Sequence, residues 1–586
     1  MESQNAQRVF LVRLALGLGQ GLALDLLYSA FDQKAWPATA PQLFAPLAVV
    51  AVFVPLLVSQ GLGNIRATTL LVWTAAATLI VAGLAWYDVW RAWPGETVPV
   101  ELSARTIFIC AVFLFVAHAL VSCGDADRRI VARYPTLFDL AWKLGVQAAI
   151  VVCFVGAFWI MLFLGIALFD MIKLTGFERF IEHPWVAIPL TTLAAAAAIE
   201  ITDTRAGLVR GVRTLALTLL GWLLPVIGGI AFAFLVSLAF TGLQPLWETR
   251  SATFLLIAAA AVLVVHINAA YQDGDPERRP PHILRVAGTL AAVLLIFVVW
   301  IAGYALWLRV NQYGWTVDRI TSAAVVLVAG MFAIGYLVAA ILPGLWLKLI
   351  ERWNVYGTFF FLIVLFALST PIADPMRLSV DSQVARLQSG VVKPEKFDFW
   401  YLRNAGGRFG HAALEALKSS PNKAIREAAI APLTNGPIPF QSISAPRPDD
   451  LARAIAVYPP GKKLPDSFLT QDWMKEGENV WEHRPCLQTW LGIQAGLCTA
   501  IVEDFDGDGV DDILMVQNQS APPEDTGWNA VLLVHQRGKW QLVASTGYWP
   551  HCRGELAALK AGKFERAAPQ RPLPELKFGD HRVPLL

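Results

Sequence analysis

Charged residues are scarce in this chain. Only 16% of its 586 residues are Asp, Glu, Lys or Arg, against about 25% in a soluble globular protein. The 47 basic and 45 acidic residues nearly cancel, and a formal charge of +2 gives no reason to expect a nucleic-acid partner. Hydrophobic residues reach 56%, which excludes a disordered chain and predicts a polytopic α-helical membrane protein with a smaller soluble part.

Catalytic motifs of fixed spacing are missing as well. The sequence has no phosphate-binding P-loop, no Gly-x-Ser-x-Gly elbow, no His-Glu-x-x-His and no Cys-x-x-Cys. Acids in the predicted outer loops, such as Glu96, Glu101 and Asp318, would be the candidates in a membrane-embedded transferase acting on lipid-linked substrates. Because they follow no fixed spacing, catalysis is the least favoured class and no catalytic residue is assigned.

Long hydrophobic runs fill most of the first 371 residues. A bilayer core takes about 20 apolar residues per helix, and eleven such runs predict eleven transmembrane helices. The first run follows Arg8 and Arg13 as in a signal peptide, but its length and Asp25 favour a retained anchor. The predicted spans are residues 9–31, 43–63, 68–90, 104–122, 142–169, 184–201, 213–241, 251–271, 285–308, 320–343 and 353–371.

Lys and Arg are divided unequally between the two sets of loops. Because cytoplasmic loops carry an excess of these residues, the richer set predicts a cytoplasmic amino terminus. With eleven spans the carboxyl-terminal part lies on the other side, which is the periplasm for a bacterial inner membrane. The richer set holds Arg8, Arg13, Arg66, Arg128, Arg129, Arg133, Arg205, Arg210, Arg213, Arg278, Arg279, Arg285, Lys348 and Arg352.

Two helix ends on the predicted inner side read alike. Asp125 and Asp127 follow His118 by seven and nine residues, and Asp273 and Asp275 follow His266 at the same distances. This match predicts a parallel internal repeat that relates spans four to seven to spans eight to eleven. Parallel repeats occur in transporters, and they also arise by duplication in proteins that transport nothing.

The ionisable residues of the membrane half define one candidate polar site. In one interpretation each imidazole pairs with the acids that follow it and forms a proton or cation site. In the other, which is favoured, the imidazoles bond to loop backbone and the acids reach water, because no buried run of carboxylates forms a relay. The candidate residues are Asp25, His118, Asp125, Glu200, His266 and Asp273.

The composition changes after Pro371, and short helices are expected before strands. A helix opening near Ser379 and one after Gly407, with Leu414 and Leu417 inward, are expected, followed by strands at 500–502, 512–516, 529–535 and 539–543. The predicted domains are a transmembrane helical domain over 1–371, a periplasmic helical segment over 372–431, a Pro-rich linker over 432–448 and a periplasmic β-rich domain over 449–586.

An acidic loop lies between the first two of these strands. Aspartates at positions 504, 506 and 508, followed by Gly509, match the opening of an oxygen-donor calcium loop, but Met515 replaces the bidentate Glu of an EF-hand. The pattern resembles the calcium loops of integrin-type FG-GAP β-repeats. That resemblance implies a structural calcium held by Asp504, Asp506, Asp508, the carbonyl of Val510, and Asp512. The alternative is an acidic surface turn bound to water.

The six cysteines divide by compartment. Cys110, Cys123 and Cys153 lie in or beside spans and are interpreted as small apolar residues. The other three lie in the predicted periplasmic part, where disulfides persist. A Cys486–Cys498 bridge is predicted because both residues flank the strand that enters the acidic loop, and Cys552 is left unpaired.

Several motifs together resemble an uncharacterised bacterial inner-membrane family, domain-of-unknown-function family 4153. The resemblance covers essentially the whole chain and implies an inner-membrane location, but it brings no activity and no catalytic residue. The motifs are Lys34–Thr39 with Phe44–Pro46, Tyr313–Arg319, Asp374-Pro375 with Ser379–Leu387, Phe397–Arg403 and Gly407–Gly410.

Two main classes of function compete. The scarcity of buried charge and the large predicted ectodomain favour a non-catalytic envelope protein that binds, senses or scaffolds. Its partners would be the lipid bilayer and another envelope protein or a periplasmic ligand. The alternative is a transporter or channel built on the parallel repeat.

Overall fold

The computed structural model describes most of the chain and divides it into two compact units, residues 1–436 and 437–586. Each unit is described by itself. The described residues are 2–92, 103–174, 176–244, 246, 252–275, 277, 279–434, 452, 455–471, 498–505, 509–518, 528–536, 538–545, 555–563, 576–578 and 581–583.

Eleven helices among the described residues are long and apolar enough to cross a membrane, which confirms the predicted number. A short helix, α6 (Gly176–Glu182), lies between two of them and was not predicted. The spanning helices are α1 (Glu2–Asp32), α2 (Pro41–Gly61), α3 (Ala67–Arg91), α4 (Ala104–Asp127), α5 (Tyr134–Met171), α7 (Pro184–Thr204), α8 (Ala206–Thr241), α9 (Ala252–Tyr271), α10 (His282–Tyr313), α11 (Val317–Ile341) and α12 (Ile350–Leu368).

Helices α5 and α8 are among the spanning helices that begin well before the predicted runs. Helix α5 begins at Tyr134 rather than 142, and α8 begins at Ala206 rather than 213. Both early turns carry charged or polar residues that a search for apolar runs excludes, such as Asp139 and Arg210. A proline lies in the first turn of α5, where backbone N–H groups form no intrahelical hydrogen bonds. Its missing N–H therefore costs nothing there, which suits a helix that begins at this point.

Helices α1 and α7 pack closely along a seam of small residues. A Cβ atom placed on Gly17 would lie 2.6 Å from the Cβ of Ala196, and one on Gly21 would collide with Pro189. Gly19 between them faces open space. A Gly-x-x-x-Gly spacing places both glycines on one side of the helix and lets two backbones approach in a membrane. This spacing was not among the features predicted from the sequence.

The core of the carboxyl-terminal spans centres on α10. Ala291, Ala292 and Leu295 have no exposed surface, and Ala302 is almost fully buried. Small residues on this helix let its neighbours pack against it at short range. A separate apolar cluster joins α2, α3 and α4, with Ala77, Val81 and Cys110 fully buried.

Four shorter helices follow the last span and form what we term the short-helix layer: α13 (Pro375–Gln388), α14 (Phe399–Ala405), α15 (Gly407–Leu417) and α16 (Lys423–Thr434). Its core contains Leu414 and Leu417, which confirms that they point inward. Helix α13 begins four residues earlier than predicted, because the Asp374 carboxylate accepts from the backbone N–H of Met376 and caps the helix. The layer belongs to the first unit.

The second unit contains a five-stranded sheet of order β1-β2-β3-β4-β5: β1 (Ile455–Tyr458), β2 (Cys498–Glu503), β3 (Asp512–Asn518), β4 (Trp528–Gln536) and β5 (Lys539–Ser545). The four predicted strands are confirmed and slightly longer. Strand β1 pairs in parallel with β2 and was not predicted. Phe468 of α17 (Asp466–Leu469) packs at right angles to Trp540 in the core. Helix α18 (Glu555–Lys560) and the β6 (Leu576–Phe578)–β7 (His581–Val583) pair follow.

Candidate functional site

The polar groups of the membrane unit lie in clusters near the helix ends. Because successive spans alternate in direction, the loops after α2, α4, α7, α9 and α11 share one side with the amino terminus. We term this side the arginine-rich face, and the other side the opposite face. Two buried clusters, an ionic one and a neutral one, join helices towards the arginine-rich face, and a third joins helices at the opposite face.

The ionic cluster is built around Arg13 of α1, whose side chain is 1% exposed. Its guanidinium donates to the Glu200 carboxylate at 2.6 Å and to the Asp203 carboxylate at 2.7 Å, both on α7. It also donates to the backbone carbonyls of Ser59 and Leu62 at 3.0 and 2.7 Å. Those carbonyls lie at the end of α2, where helix carbonyls lack intrahelical partners and favour a cation.

Two further residues complete the ionic cluster. The Asp203 carboxylate accepts from the Asn64 amide at 3.1 Å and from the Lys143 ammonium, on α5, at 3.3 Å. Two cations therefore face two anions, and the charges balance inside the protein. A buried pair of this kind is weak evidence for stability as a whole, but losing one partner leaves an uncompensated charge that costs about 3–5 kcal/mol.

The α1–α7 seam explains how Arg13 reaches Glu200. Arg13, Gly17 and Gly21 lie about one turn apart on one side of α1, and the α7 residues facing them, Glu200, Ala196 and Thr192, are also spaced by four positions. Gln20 strengthens the neighbouring contact with α2, because its amide donates to the carbonyl of Ala51 at 3.2 Å. Pro55 has no N–H to donate to that carbonyl, so Gln20 replaces the missing intrahelical donor.

The neutral cluster joins α9, α11 and α12 through three side chains. The Asn268 amide donates to the Tyr336 hydroxyl, this hydroxyl donates to the Asn354 carbonyl oxygen, and the Asn354 amide donates back to Asn268, each at 2.6 Å. Tyr336 has no exposed surface. Gly335 beside it packs against the ring of Trp353. Each member both donates and accepts, so the ring of hydrogen bonds is satisfied internally.

The structure does not join His118 to the acids that follow it. The His118 ring nitrogen Nδ1 accepts from the indole N–H of Trp73 at 3.2 Å. Asp125 instead accepts from the Arg66 guanidinium at 2.7 Å and from the Thr69 hydroxyl at 2.6 Å. Asp127 accepts from the backbone N–H of Arg133 at 2.7 Å. Asp125 thus stabilises the start of α3, and Asp127 stabilises the start of α5.

The second set of predicted residues has similar local contacts. His266 donates from Nδ1 to the Val262 carbonyl of its own helix at 2.7 Å. Asp273 accepts from the backbone N–H of Asp275 at 3.3 Å. Helix α9 ends five residues after His266, whereas α4 ends nine residues after His118, so the two helix ends differ by one turn. Of the predicted polar residues only Glu200 enters a buried ionic cluster.

Asp25 lies in α1 one turn beyond Gly21. Its Oδ1 atom is buried and accepts no hydrogen bond from the described residues. No described ion pair joins it to the other predicted site residues. Asp25 therefore stays a predicted polar position without an assigned partner.

The third cluster ties the short-helix layer to α3 at the opposite face. Asp374 has no exposed surface and accepts from the Tyr87 hydroxyl at 2.8 Å. It also lies 3.5 Å from the Arg91 guanidinium, which pairs in addition with Asp88. The Asp88 carboxylate accepts from the Ser103 hydroxyl at 2.8 Å, and Ser103 caps α4. One buried carboxylate thus connects the end of α12, the start of α13 and α3.

A second row of contacts ties α13 to the loop between α10 and α11. The Gln383 amide donates to the carbonyl of Trp315 at 2.8 Å, and the Arg386 guanidinium donates to that of Gln312 at 3.0 Å. Gly314 has a φ of +76°, and a Cβ there would collide with the Arg386 side chain. These contacts bring the motifs at 313–319 and 379–387 together in the fold.

The acidic loop of the second unit is described in part. Asp504 accepts from the backbone N–H of Gly509 at 3.0 Å, and Asp512 accepts from that of Phe505 at 2.9 Å. Both carboxylates fold the loop back on itself between β2 and β3. Asp506 and Asp508 lie outside the described residues, so the predicted calcium site stays a prediction. Val510 is half exposed.

The cysteines of the membrane unit are free. Cys110 and Cys123 have no exposed surface, whereas Cys153 is exposed on α5. Cys486 and Cys552 lie outside the described residues, and Cys498 begins β2 with its side chain undescribed. The predicted Cys486–Cys498 bridge therefore stays a prediction.

Comparison with known proteins gives one match. No curated protein and no solved structure matches the chain. The family described as "Domain of unknown function (DUF4153)" matches residues 26–418. This stretch begins within α1, contains the other ten spans, and ends just after α15 of the short-helix layer. Because the match covers more than half of the sequence, the chain belongs to the DUF4153 family of membrane proteins.

Proposed function

We propose that this protein is a non-catalytic scaffold and binding platform of the bacterial inner membrane. One observation carries the proposal: the buried charges of the spans cross-link helices. Among the described Asp, Glu, Lys and Arg residues of the spans, the buried ones are Arg13, Arg91 and Glu200. Each lies within 3.5 Å of an oppositely charged side chain. Transport paths usually contain ionisable groups that face water or a substrate.

The short-helix layer supports the same proposal. Asp374, Gln383 and Arg386 fasten α13 to α3 and to the α10–α11 loop through side chains and backbone. A layer held at two separate places offers a fixed surface beside the membrane. A binding surface on rigid elements is more precisely positioned than one on mobile loops.

Native cysteines provide the test between a scaffold and a transporter. Cys110 and Cys123 lie near the two ends of α4 and are fully buried. In a packed scaffold, neither should react with a membrane-impermeant maleimide added from either side of the membrane. Mass mapping of the labelled protein separates these peptides from other cysteines, and Arg129→Cys on the exposed loop is the positive control. Labelling of Cys110 or Cys123 would reveal a water path and favour a transporter built on the proposed repeat.

The proposed topology places the arginine-rich face in the cytoplasm and residues 372–586 in the periplasm. The excess of Arg in the loops of that face supports it. A reporter that is active only in the periplasm should be active when fused after Ala373 and inactive when fused after Ala126. The reverse pattern would contradict this orientation.

We further propose that the acidic loop binds a structural calcium ion through Asp504, Asp506, Asp508, Val510 and Asp512. The spacing of the aspartates supports this, and affinity of the extracellular type, about 0.1–1 mM, is expected. Because a bound ion stabilises only the folded state, calcium should raise the unfolding temperature of the second unit in the whole protein. Asp506→Asn should abolish the rise. Asp511→Asn is the matched control, because Asp511 pairs with Lys462 and is not a proposed ligand. Equal responses would discard the site.

A further inference from the structure

A cavity of about 490 Å³ opens at the arginine-rich face between the end of α9, the start of α10 and the α11–α12 loop. Ligand cavities commonly measure about 300–1,000 Å³. Side chains of both polar and apolar character line it, among them Tyr271, Arg279, Arg285, Thr289, Trp346 and Lys348. No residue of this cavity belongs to the ionic or the neutral cluster, or to the calcium loop.

The polar part of the cavity carries excess positive charge. Its lining includes three cations, Arg279, Arg285 and Lys348, and a single acid, Asp275. Nearby Glu351 neutralises Lys348, because it accepts from the Lys348 ammonium at 2.6 Å and from the Tyr271 hydroxyl at 2.8 Å. The positive excess of the lining therefore comes from two arginines against one acid.

Arg285 is the group in the cavity that lacks an acceptor. No described hydrogen bond or ion pair involves its guanidinium, and its Nε atom is buried without a partner. A buried donor without an acceptor costs about 1–3 kcal/mol or more when charged, so an anion arriving there gains a strong contact. Arg285 also lies in the first turn of the 32-residue helix α10. The positive end of the helix dipole favours anions near that position.

The rim of the same cavity is apolar. Ile341, Leu342 and Leu345 of the α11–α12 loop are each more than half exposed at the end of a spanning helix. The loop is held in place by Trp346, whose indole N–H lies 3.1 Å from the carbonyl of Arg285 and from the hydroxyl of Thr289. The exposed apolar side chains and Arg285 are therefore kept side by side in the lining of one cavity.

We propose that this cavity binds the phosphate headgroup of an anionic phospholipid from the adjoining leaflet. Arg285 donates to the phosphate oxygens, and the acyl chains lie along Ile341 and Leu345. The apolar rim distinguishes a lipid from free phosphate, which would gain nothing from it. Basic pockets between transmembrane helices are suited to anionic headgroups.

The test uses the full-length protein purified in neutral detergent. Short-chain phosphatidylglycerol should raise its unfolding temperature in a saturable way, while phosphatidylcholine and inorganic phosphate should not. Arg285→Gln should weaken the phosphatidylglycerol response about tenfold, the factor expected for about 1.4 kcal/mol from one charge-assisted contact. Arg285→Lys should keep part of it. Arg210→Gln is the matched control, an exposed arginine near the start of α8 on the same face.

Three outcomes would overturn the proposal. These are an equal response of Arg285→Gln and the wild type, an equal effect of phosphatidylcholine, or an equal effect of inorganic phosphate, which would assign the cavity to a free anion. A second measurement needs no variant and so does not depend on how Arg285→Gln folds. Photoactivatable phosphatidylglycerol should label residues 341–348 of the wild type. Labelling that spares this segment would equally reject the site.

Discussion

Membrane helices are joined by charged groups in one region of the molecule and by uncharged groups in another. The ionic cluster joins α1, α2, α5 and α7, and the neutral cluster joins α9, α11 and α12. The first balances two cations against two carboxylates around Arg13. The second closes a ring of uncharged groups through Asn268, Tyr336 and Asn354. In apolar surroundings an orphaned charge is far less favourable than an orphaned amide or hydroxyl. The ionic cluster therefore depends on every partner, whereas the neutral one should tolerate a single loss better.

The largest effect is expected from Arg13→Gln. The substitution leaves two buried carboxylates short of positive charge, Glu200 with no cation and Asp203 with Lys143 alone, which should destabilise the protein by about 3–5 kcal/mol. Unfolding by sodium dodecyl sulfate in mixed micelles measures it. Arg8→Gln is the control, because Arg8 is exposed in the same helix. Adding Glu200→Gln to the Arg13→Gln variant should recover part of the loss, since it removes one of the orphaned charges. If Arg13→Gln destabilised the protein as little as Arg8→Gln, the expected difference in stability between the ionic and the neutral cluster would be refuted.

The next effect concerns the seam that brings Arg13 to Glu200. Gly21→Leu would push α1 away from Pro189 and should cost about 1–3 kcal/mol, the usual range for overpacking. Gly19→Leu is the control, because nothing lies within 4 Å of a Cβ at that position. The same unfolding measurement compares the two variants. Leucine is a better helix former than glycine, so if Gly19→Leu proved as harmful as Gly21→Leu, close packing of α1 against α7 would not explain the loss at Gly21.

The smallest effect is expected in the neutral cluster. Tyr336→Phe removes one hydroxyl and leaves one amide donor and one carbonyl acceptor of the ring unpaired, at a cost of about 1–2 kcal/mol. Tyr356→Phe is the control, because Tyr356 is 59% exposed on α12. A loss as large as that of Arg13→Gln would contradict the comparison and point to strong cooperativity within the ring.

The sequence predicted the elements of this fold better than its contacts. Eleven apolar runs identified eleven spans, and four short runs identified strands β2 to β5, because both signals are local. Strand β1 was missed because its partner Cys498 lies 43 positions after Ile455 in the chain. Parallel pairing across such a distance leaves no turn signal in the sequence.

The same limit applies to the candidate site. Glu200 was identified because an acid beside a span is conspicuous, but Arg13 was used only to orient the first span. Their pairing spans 187 positions, and no local pattern announces it. Asn268 and Asn354 were not singled out, because uncharged amides hardly change the hydropathy of a run. The Gly17–Gly21 spacing was the one local signal that could have indicated the α1–α7 contact.

The buried carboxylate of Asp374 also has a consequence for how the chain is made. Tyr87 and Arg91 precede it by 287 and 283 residues, so eight more membrane-crossing segments are synthesised before either group meets its acceptor. Contacts between such distant positions form late. Until then the Arg91 guanidinium has only the neighbouring Asp88. A nascent chain that ends before α12 lacks Asp374, so Tyr87 and Arg91 have no acceptor there. Formation of these contacts therefore requires that the last spanning helix has been synthesised.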